Sequence, residues 1–182
     1  MRGVCGCGGG EPFRGLLPNL PSTAAALVLD ADALNAIAAD GVLQTQLSSR
    51  GRDGAPTVIT PHPLEAARLL NCTVGDVQGD RLTAARELAA RFNVVVVLKG
   101  SGTVIAGGAD TLPVINLSGN ARLATAGTGD VLAGMIGAAL AMRKPAFDAA
   151  CEAVWLHGRI ADTWPADAAP LTAGALARRA PD

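Results

Sequence analysis

Short apolar runs alternate along the chain with segments in which apolar residues recur at helical spacing. Runs of adjacent apolar residues predict strands at 27–29, 57–60, 94–98, 103–106 and 112–117. The helical spacing predicts helices at 31–39, 63–70, 80–91, 129–142 and 148–164. A tail broken by Pro, Ala and Gly follows from Pro165, with a short last helix.

The order of these elements predicts an α/β fold. Because strands alternate with helices and the 94–98 run is apolar on both faces, we expect a largely parallel sheet in one domain spanning residues 1–182. Ligands of such sheets bind beyond the carboxyl ends of the strands. Four polar or glycine-rich segments follow apolar runs in this way, at 6–10, 30–35, 60–65 and 99–103.

Composition and charge exclude several classes of protein. Hydrophobic residues make up 49% of the 182 residues, charged residues 17%, and the net charge is −1. A chain this apolar is not intrinsically disordered, and its near-neutral charge gives no basic surface for nucleic acid. It has no apolar run of about 18 residues to span a membrane, and its four cysteines form no Cys-x-x-Cys pair. We therefore expect a cytoplasmic protein with reduced thiols and no nucleic-acid or membrane partner.

The segment 120–130, with the sequence NARLATAGTGD, carries the strongest chemical signal. Its small residues let the backbone wind closely around an anion, and a helix beginning near Gly129 points free N–H groups at that anion. Asp130 lies at the helix start, so the pattern suits a phosphate beside a general base. It is not a Walker A loop, because no Gly-Lys-Ser/Thr follows. The alternative is a glycine-rich connection capped by Asp130.

Three other strand ends carry polar side chains. Asp30 and Asp32 follow a buried strand, where carboxylates are costly unless they are solvated, cap a helix or bind a ligand. His62 lies between two prolines that aim its ring at a substrate, and Glu65 either organises a metal ion through water or is a solvated helix residue. Lys99 ends the most buried strand, so its charge needs an anion or open water unless it lies in a surface hairpin turn.

Two signals are weaker. The glycine run 6–10 follows a short apolar run but is unspecific by itself. His157 lies on a predicted helix with Val154, Trp155 and Ile160, and we interpret it as structural rather than catalytic.

Taken together, the blocks resemble the ADP/ATP-dependent NAD(P)H-hydrate dehydratase family, whose carbohydrate-kinase-like domain has a ribokinase-type fold. The resemblance rests on VLDADALN at 28–35, TPHPLE at 60–65, KGSGT at 99–103 and the stretch 120–134. These four blocks occur in the family's order and at compatible spacing. The resemblance implies a three-layer α/β/α domain with a largely parallel central sheet. The His62 block favours the dehydratase over the related sugar and vitamin kinases.

The resemblance implies repair of hydrated NADH or NADPH, a carbon–oxygen lyase reaction on the S epimer. A nucleotide phosphoanhydride is consumed, with ADP giving AMP and phosphate or ATP giving ADP and phosphate. Asp130 would be the catalytic base and would also contact the substrate, as would His62 and Gly8. Mg²⁺ would be placed with the help of Glu65 and Asp30. The residues implied to bind the nucleotide are Lys99, Gly100, Ser101, Gly102, Thr103, Asn120, Thr125, Ala126, Gly127, Thr128 and Gly129.

The resemblance also implies a homo-oligomer, a tetramer in the family. Family domains carry additional strands before the glycine block at 6–10, so we expect this chain to be an N-terminally truncated, partial domain that exposes a sheet edge. Two alternative functions stay open on the sequence. One is a hydroxymethylpyrimidine- or thiazole-type kinase of the same fold, and the other is an inactive nucleotide-binding fragment.

Overall fold

The computed structural model describes residues 2–5 and 24–180 of the chain. Within them lies a six-stranded sheet whose strands follow one another in chain order. The first four strands are parallel, and the last two pairings are antiparallel. The strands are β1 (Arg2–Cys5), β2 (Ala26–Leu29), β3 (Thr57–Ile59), β4 (Val95–Leu98), β5 (Val104–Ala106) and β6 (Val114–Ile115).

Helices cover both faces of the sheet, which confirms the three-layer α/β/α prediction. They are α1 (Ala31–Ala39), α2 (Gly41–Arg52), α3 (Pro63–Leu70), α4 (Val74–Gly79), α5 (Arg81–Phe92), α6 (Thr128–Ala141), α7 (Ala146–Asp162) and α8 (Ala173–Ala177). An apolar core lies on each face of the sheet, and alternate residues of β4 pack into one core or the other. Val96 and Leu98 pack in the cluster that includes α1–α5, and Val95 and Val97 pack with α6 and α7. None of the helices described is long and apolar enough to cross a membrane.

Two helices and the length of the last strand differ from the sequence prediction. Helix α2 buries only Leu43, Leu47 and Arg50, so its apolar periodicity is weak. Helix α4 has six residues and depends on a local cap, in which the Thr73 side chain accepts the N–H of Asp76. Strand β6 is two residues long rather than six, and both residues are exposed. Without a buried face, that edge strand has no packing to extend it.

The carboxyl ends of β2, β3 and β4 meet at one edge of the sheet. The Thr60 N–H donates to the Leu29 carbonyl at 3.0 Å, and the Lys99 N–H donates to the Pro61 carbonyl at 2.8 Å. These bonds continue the strand pairing past the strand ends. They bring together the three polar segments that begin at Asp30, Thr60 and Lys99.

Candidate active site

The first turn of α6 forms an anion-binding geometry. Gly127 precedes the helix with φ +84°, a left-handed conformation that suits glycine, and no side chain caps the helix. Among the described residues, the backbone N–H groups of Gly129 and Asp130 have no acceptor. Unpaired N–H groups at the positive end of a 14-residue helix favour a phosphate there.

A hydroxyl network holds the loop in front of this turn. Thr128 is buried, and its Oγ1 lies 2.7 Å from the Leu123 carbonyl oxygen and 2.8 Å from that of Thr125. One hydroxyl hydrogen is thus shared between two acceptors. Both contacts tie the short 3₁₀ turn Ala121–Leu123 and the Thr125 backbone to the helix start.

Asp30 and Lys99 form an ion pair across the strand ends. The Nζ of Lys99 lies 2.5 Å from Oδ1 of Asp30, whose side chain is 2% exposed. The same Oδ1 accepts the N–H of Ala31 and caps α1. The predicted need of Lys99 for an anion is therefore met by Asp30. A Cβ placed on Gly129 would lie 3.7 Å from both Asp30 Oδ2 and Lys99 Nζ, so the pair borders the α6 turn.

A cavity of about 830 Å³ opens beside this pair. Its walls include two segments in full, 99–103 and 116–121, together with parts of α6 and α7. Lys99 to Thr103 connect the antiparallel strands β4 and β5, with φ +144° at Gly100 and +63° at Gly102. This segment is therefore the hairpin turn that the sequence offered as the alternative for Lys99, and it also lines the cavity.

The predicted nucleotide residues fall into two groups. Those that line the cavity are Lys99, Gly100, Ser101, Gly102, Thr103, Asn120, Thr128 and Gly129. Three others, Thr125, Ala126 and Gly127, belong to the loop before α6 and are not among the lining residues. The Asn120 side chain is engaged locally, because its Nδ2 donates to the Ala161 carbonyl at 2.9 Å.

Asp130 is exposed in the first turn of α6. It is not itself a lining residue of the cavity, whereas Thr128 and Gly129 in the same turn are. Its carboxylate is therefore free to face a molecule that extends out of the cavity. Gly8, predicted to contact the substrate, lies outside the described residues.

His62 and Glu65 form a reciprocal helix cap. The Nδ1 of His62 accepts the N–H groups of Leu64 and Glu65 at 3.1 and 3.4 Å, and Glu65 Oε2 accepts the N–H of His62 at 2.8 Å. Glu65 Oε1 lies 3.3 Å from His62 Nε2. Because the Glu65 side chain is only 3% exposed, the interpretation of Glu65 as a solvated helix residue is wrong. The His62 side chain is 45% exposed, which leaves much of its ring accessible.

The carboxylates expected to place Mg²⁺ do not form a ligand cluster. Within residues 2–5 and 24–180, no group of three His, Cys, Asp or Glu residues is arranged to hold a metal ion. Both oxygens of Glu65 contact His62. Asp30 keeps one oxygen, Oδ2, without a hydrogen bond among the described residues, so its predicted metal role rests on that atom.

Sequence reasoning missed two residues that shape the site. Arg81 donates from Nη2 to the Leu98 and Lys99 carbonyls at 3.0 and 3.3 Å, and so holds the backbone before Gly100. Partial burial lowers the pKa of the Arg81 guanidinium. Gly158 of α7 permits a close approach, because a Cβ there would lie 2.2 Å from Ser118 Oγ in the cavity wall. Neither contact has a local sequence signal, since each joins elements far apart in the chain.

Comparisons with known proteins agree with this fold and site. A ribokinase-like protein from Enterococcus faecalis has a TM-score of 0.65 at 27% identity, over 84% of this chain and 50% of that one. The structure of the ADP/ATP-dependent NAD(P)H-hydrate dehydratase of Bacillus subtilis, co-crystallised with ATP and Mg²⁺, matches with a TM-score of 0.70 at 34% identity. This match covers 86% of this chain and 53% of that chain. The fold and cavity thus define a protein of the ribokinase-like class.

The family follows from the sequence comparisons. The family model described as NAD(P)H-hydrate dehydratase matches residues 4–181. The ADP-dependent (S)-NAD(P)H-hydrate dehydratase of Neisseria meningitidis is 47% identical over 175 residues, which are 95% of this chain and 57% of that protein. The bifunctional NAD(P)H-hydrate repair enzyme of Escherichia coli is 46% identical over 136 residues, 75% of this chain and 24% of that protein. The chain therefore belongs to the NAD(P)H-hydrate dehydratase family, although it spans little more than half of the first relative and a quarter of the second.

Proposed function

We propose that the protein dehydrates the S epimer of hydrated NADH or NADPH at the expense of ADP or ATP. The observation that carries this proposal is the first turn of α6, where free N–H groups and the Asp130 carboxylate lie together at the edge of a cavity. The family membership and the naming of the Neisseria meningitidis and Bacillus subtilis relatives support the choice of reaction.

The nucleotide would enter the cavity with its adenosine against the 99–103 segment. Gly100 and Gly102 present backbone without side chains there, which suits a flat ligand. The terminal phosphate of the nucleotide would then reach the N–H groups of Gly129 and Asp130. The Lys99 ammonium would lie on the opposite side of that phosphate. Charge-assisted hydrogen bonds of this kind stabilise the charge that builds up on a transferred phosphoryl group.

Asp130 would act as the general base. The hydroxyl oxygen of the hydrate attacks the terminal phosphorus, Asp130 takes the hydroxyl proton, and the bond to the AMP or ADP leaving group breaks. The carbon–oxygen bond then breaks as phosphate leaves, and loss of a proton from the neighbouring carbon forms the ring double bond. The oxygen of the lost water ends in the phosphate, so the reaction balances.

His62 would bind the hydrated nicotinamide through its exposed ring face. Both of its nitrogens are engaged with the first turn of α3, which fixes the ring orientation. Mg²⁺ would arrive with the nucleotide, because this ion keeps several waters and binds phosphates with one or two carboxylates. When bound it would supply charge neutralisation on the phosphates, and Asp30 Oδ2, which has no hydrogen bond among the described residues, would assist it. A metal role for Glu65 would require it to leave the His62 cap.

We further propose a cytoplasmic homo-oligomer. The free thiols of Cys72 and Cys151 support a reducing compartment, and the family resemblance supports the assembly.

Product analysis with an Asp130→Asn variant tests the function. Chemically hydrated NADH is incubated with Mg²⁺ and ADP or ATP, and the return of nicotinamide absorbance and the release of phosphate are followed. We expect turnover in the wild type and a loss of about 10²- to 10⁴-fold in the variant, with nucleotide affinity kept. Asp110→Asn is the control, because Asp110 is exposed and lies away from the proposed site. It follows β5, which runs antiparallel to β4 and therefore ends at the edge of the sheet opposite the carboxyl end of β4.

Two outcomes would contradict the proposal. A stable phosphorylated alcohol would identify a kinase of the same fold. Nucleotide binding without any turnover by the wild type would identify a non-catalytic binding module.

A further inference from the structure

We propose that His157 is a positioning residue for the phosphate site, which it serves by anchoring the first turn of α6 from α7. This inference rests on the proposed function only in taking that turn as the place where phosphate binds. It gives a role to a buried, titratable group that the reaction itself does not use.

The contact is specific and buried. His157 is 8% exposed and Thr128 is 6% exposed, and the Nε2 of His157 lies 2.9 Å from the Thr128 carbonyl oxygen. A carbonyl only accepts hydrogen bonds, so Nε2 must carry the proton. Burial lowers the pKa of His157, which keeps the ring neutral. The neutral ring is therefore held in the Nε2–H tautomer.

The anchored carbonyl belongs to the turn that presents the free N–H groups. Thr128 immediately precedes Gly129 and Asp130, whose N–H groups lack acceptors among the described residues. The Thr128 hydroxyl fixes the turn to its own loop, through Leu123 and Thr125. His157 adds a hydrogen bond from this turn to α7.

The same imidazole forms part of the cavity wall. His157 and Gly158 both line the cavity, and Gly158 packs against the Ser118 backbone with no room for a Cβ. This close packing fixes α7 against the 116–121 wall. His157 thus transmits the position of that wall to the phosphate-binding turn, so that the phosphate site keeps a constant separation from the cavity wall at 116–121. An error of about 1 Å in such a separation is enough to cost about 100-fold in rate.

The test compares His157→Phe with His157→Gln. Phenylalanine keeps a ring of similar size but lacks the donor, whereas the glutamine amide nitrogen can take the place of Nε2 as donor to Thr128. Dissociation constants for ADP and for adenosine are measured, because the ratio of the adenosine constant to the ADP constant reports the phosphate site. Ile160→Ala on the same helix is the control for lost stability, since Ile160 packs with Leu171 and Leu176 and does not line the cavity.

We expect His157→Phe to reduce the ratio of the two dissociation constants about tenfold while adenosine binding changes by less than about twofold. The kcat should fall by about tenfold or more, and His157→Gln should restore the ratio and kcat to within about threefold of wild type. Ile160→Ala should lower the melting temperature without changing the ratio.

Three results would overturn the inference. An unchanged ratio in His157→Phe would make the residue merely structural. A glutamine variant as inactive as the phenylalanine variant, with a limb of the pH–rate profile lost, would make His157 an acid or base. A wild type that binds ADP no more tightly than adenosine would remove the phosphate site that His157 is inferred to position. Binding measured without hydrated NADH separates the first and third results from a failure of the dehydration proposal, in which turnover alone is absent.

Discussion

Replacement of Gly129 by alanine should impair phosphate binding while it stabilises the fold. The new Cβ would lie 3.7 Å from both Asp30 Oδ2 and Lys99 Nζ, which is ordinary van der Waals contact rather than a clash. A phosphate oxygen bonded to the Lys99 ammonium would need an approach of about 2.8 Å to that nitrogen. The methyl group therefore occupies the space between the ammonium and the free N–H groups that the phosphate requires.

Gly129→Ala should weaken ADP binding and raise the free energy of unfolding, and the size of each change can be estimated. Loss of one to two charge-assisted hydrogen bonds weakens ADP binding by about 2–4 kcal/mol, or roughly 30- to 1,000-fold. Gly129 does not have a positive φ, so alanine there raises the free energy of unfolding by about 0.4–1 kcal/mol. For a domain of this size that gain corresponds to a rise of about 1–4 °C in melting temperature.

Calorimetric titration with ADP and a thermal melt measure both effects on the same sample. Gly134→Ala is the matched control, because it lies on the exposed face of α6 and a Cβ there has no neighbour within 4 Å. The control should gain stability and keep its ADP affinity. Wild-type ADP affinity in Gly129→Ala would refute the placement of the phosphate, and a lower melting temperature would refute the steric argument.

Two further predictions concern stability. Gly158→Ala should lower the free energy of unfolding by about 1–3 kcal/mol, because its Cβ would lie 2.6 Å from the Ser118 carbonyl carbon. Equilibrium unfolding checks this, and Gly108→Ala, which meets nothing within 4 Å, should change little. Burial lowers the pKa of His157 below its ordinary value of 6.5, so the unfolded chain binds this proton more tightly and stability should fall as pH drops through 6.5 toward the folded-state pKa. Unfolding midpoints at several pH values should show this slope in the wild type and a reduced slope in His157→Gln; equal slopes would contradict it.

The sequence was sufficient to predict the strands that position the site. The 94–98 run is apolar at every position, and its alternate residues pack into the two cores, as a strand buried on both faces requires. Because the sheet is parallel here, the residues that follow β2, β3 and β4 come together at one edge. The glycine-rich run likewise predicted a helix start near Gly129, and α6 begins at Thr128.

The pairings within the site could not be predicted in the same way. Lys99 and Asp30 are 69 residues apart in the chain, and His157 and Thr128 are 29 apart. Nothing local to either member of these pairs specifies its partner. The interpretation of Glu65 as a solvated helix residue failed for a different reason: histidine is not a common N-cap, so the reciprocal cap between His62 and Glu65 had no recognisable pattern.

A crystal structure of the protein grown with ADP and Mg²⁺ would show where the nucleotide phosphates bind. We expect the terminal phosphate within hydrogen-bond distance of the Gly129 and Asp130 N–H groups and of Lys99 Nζ, with adenosine along residues 99–103. Phosphates bound away from the start of α6, with Asp130 facing only solvent, would contradict it.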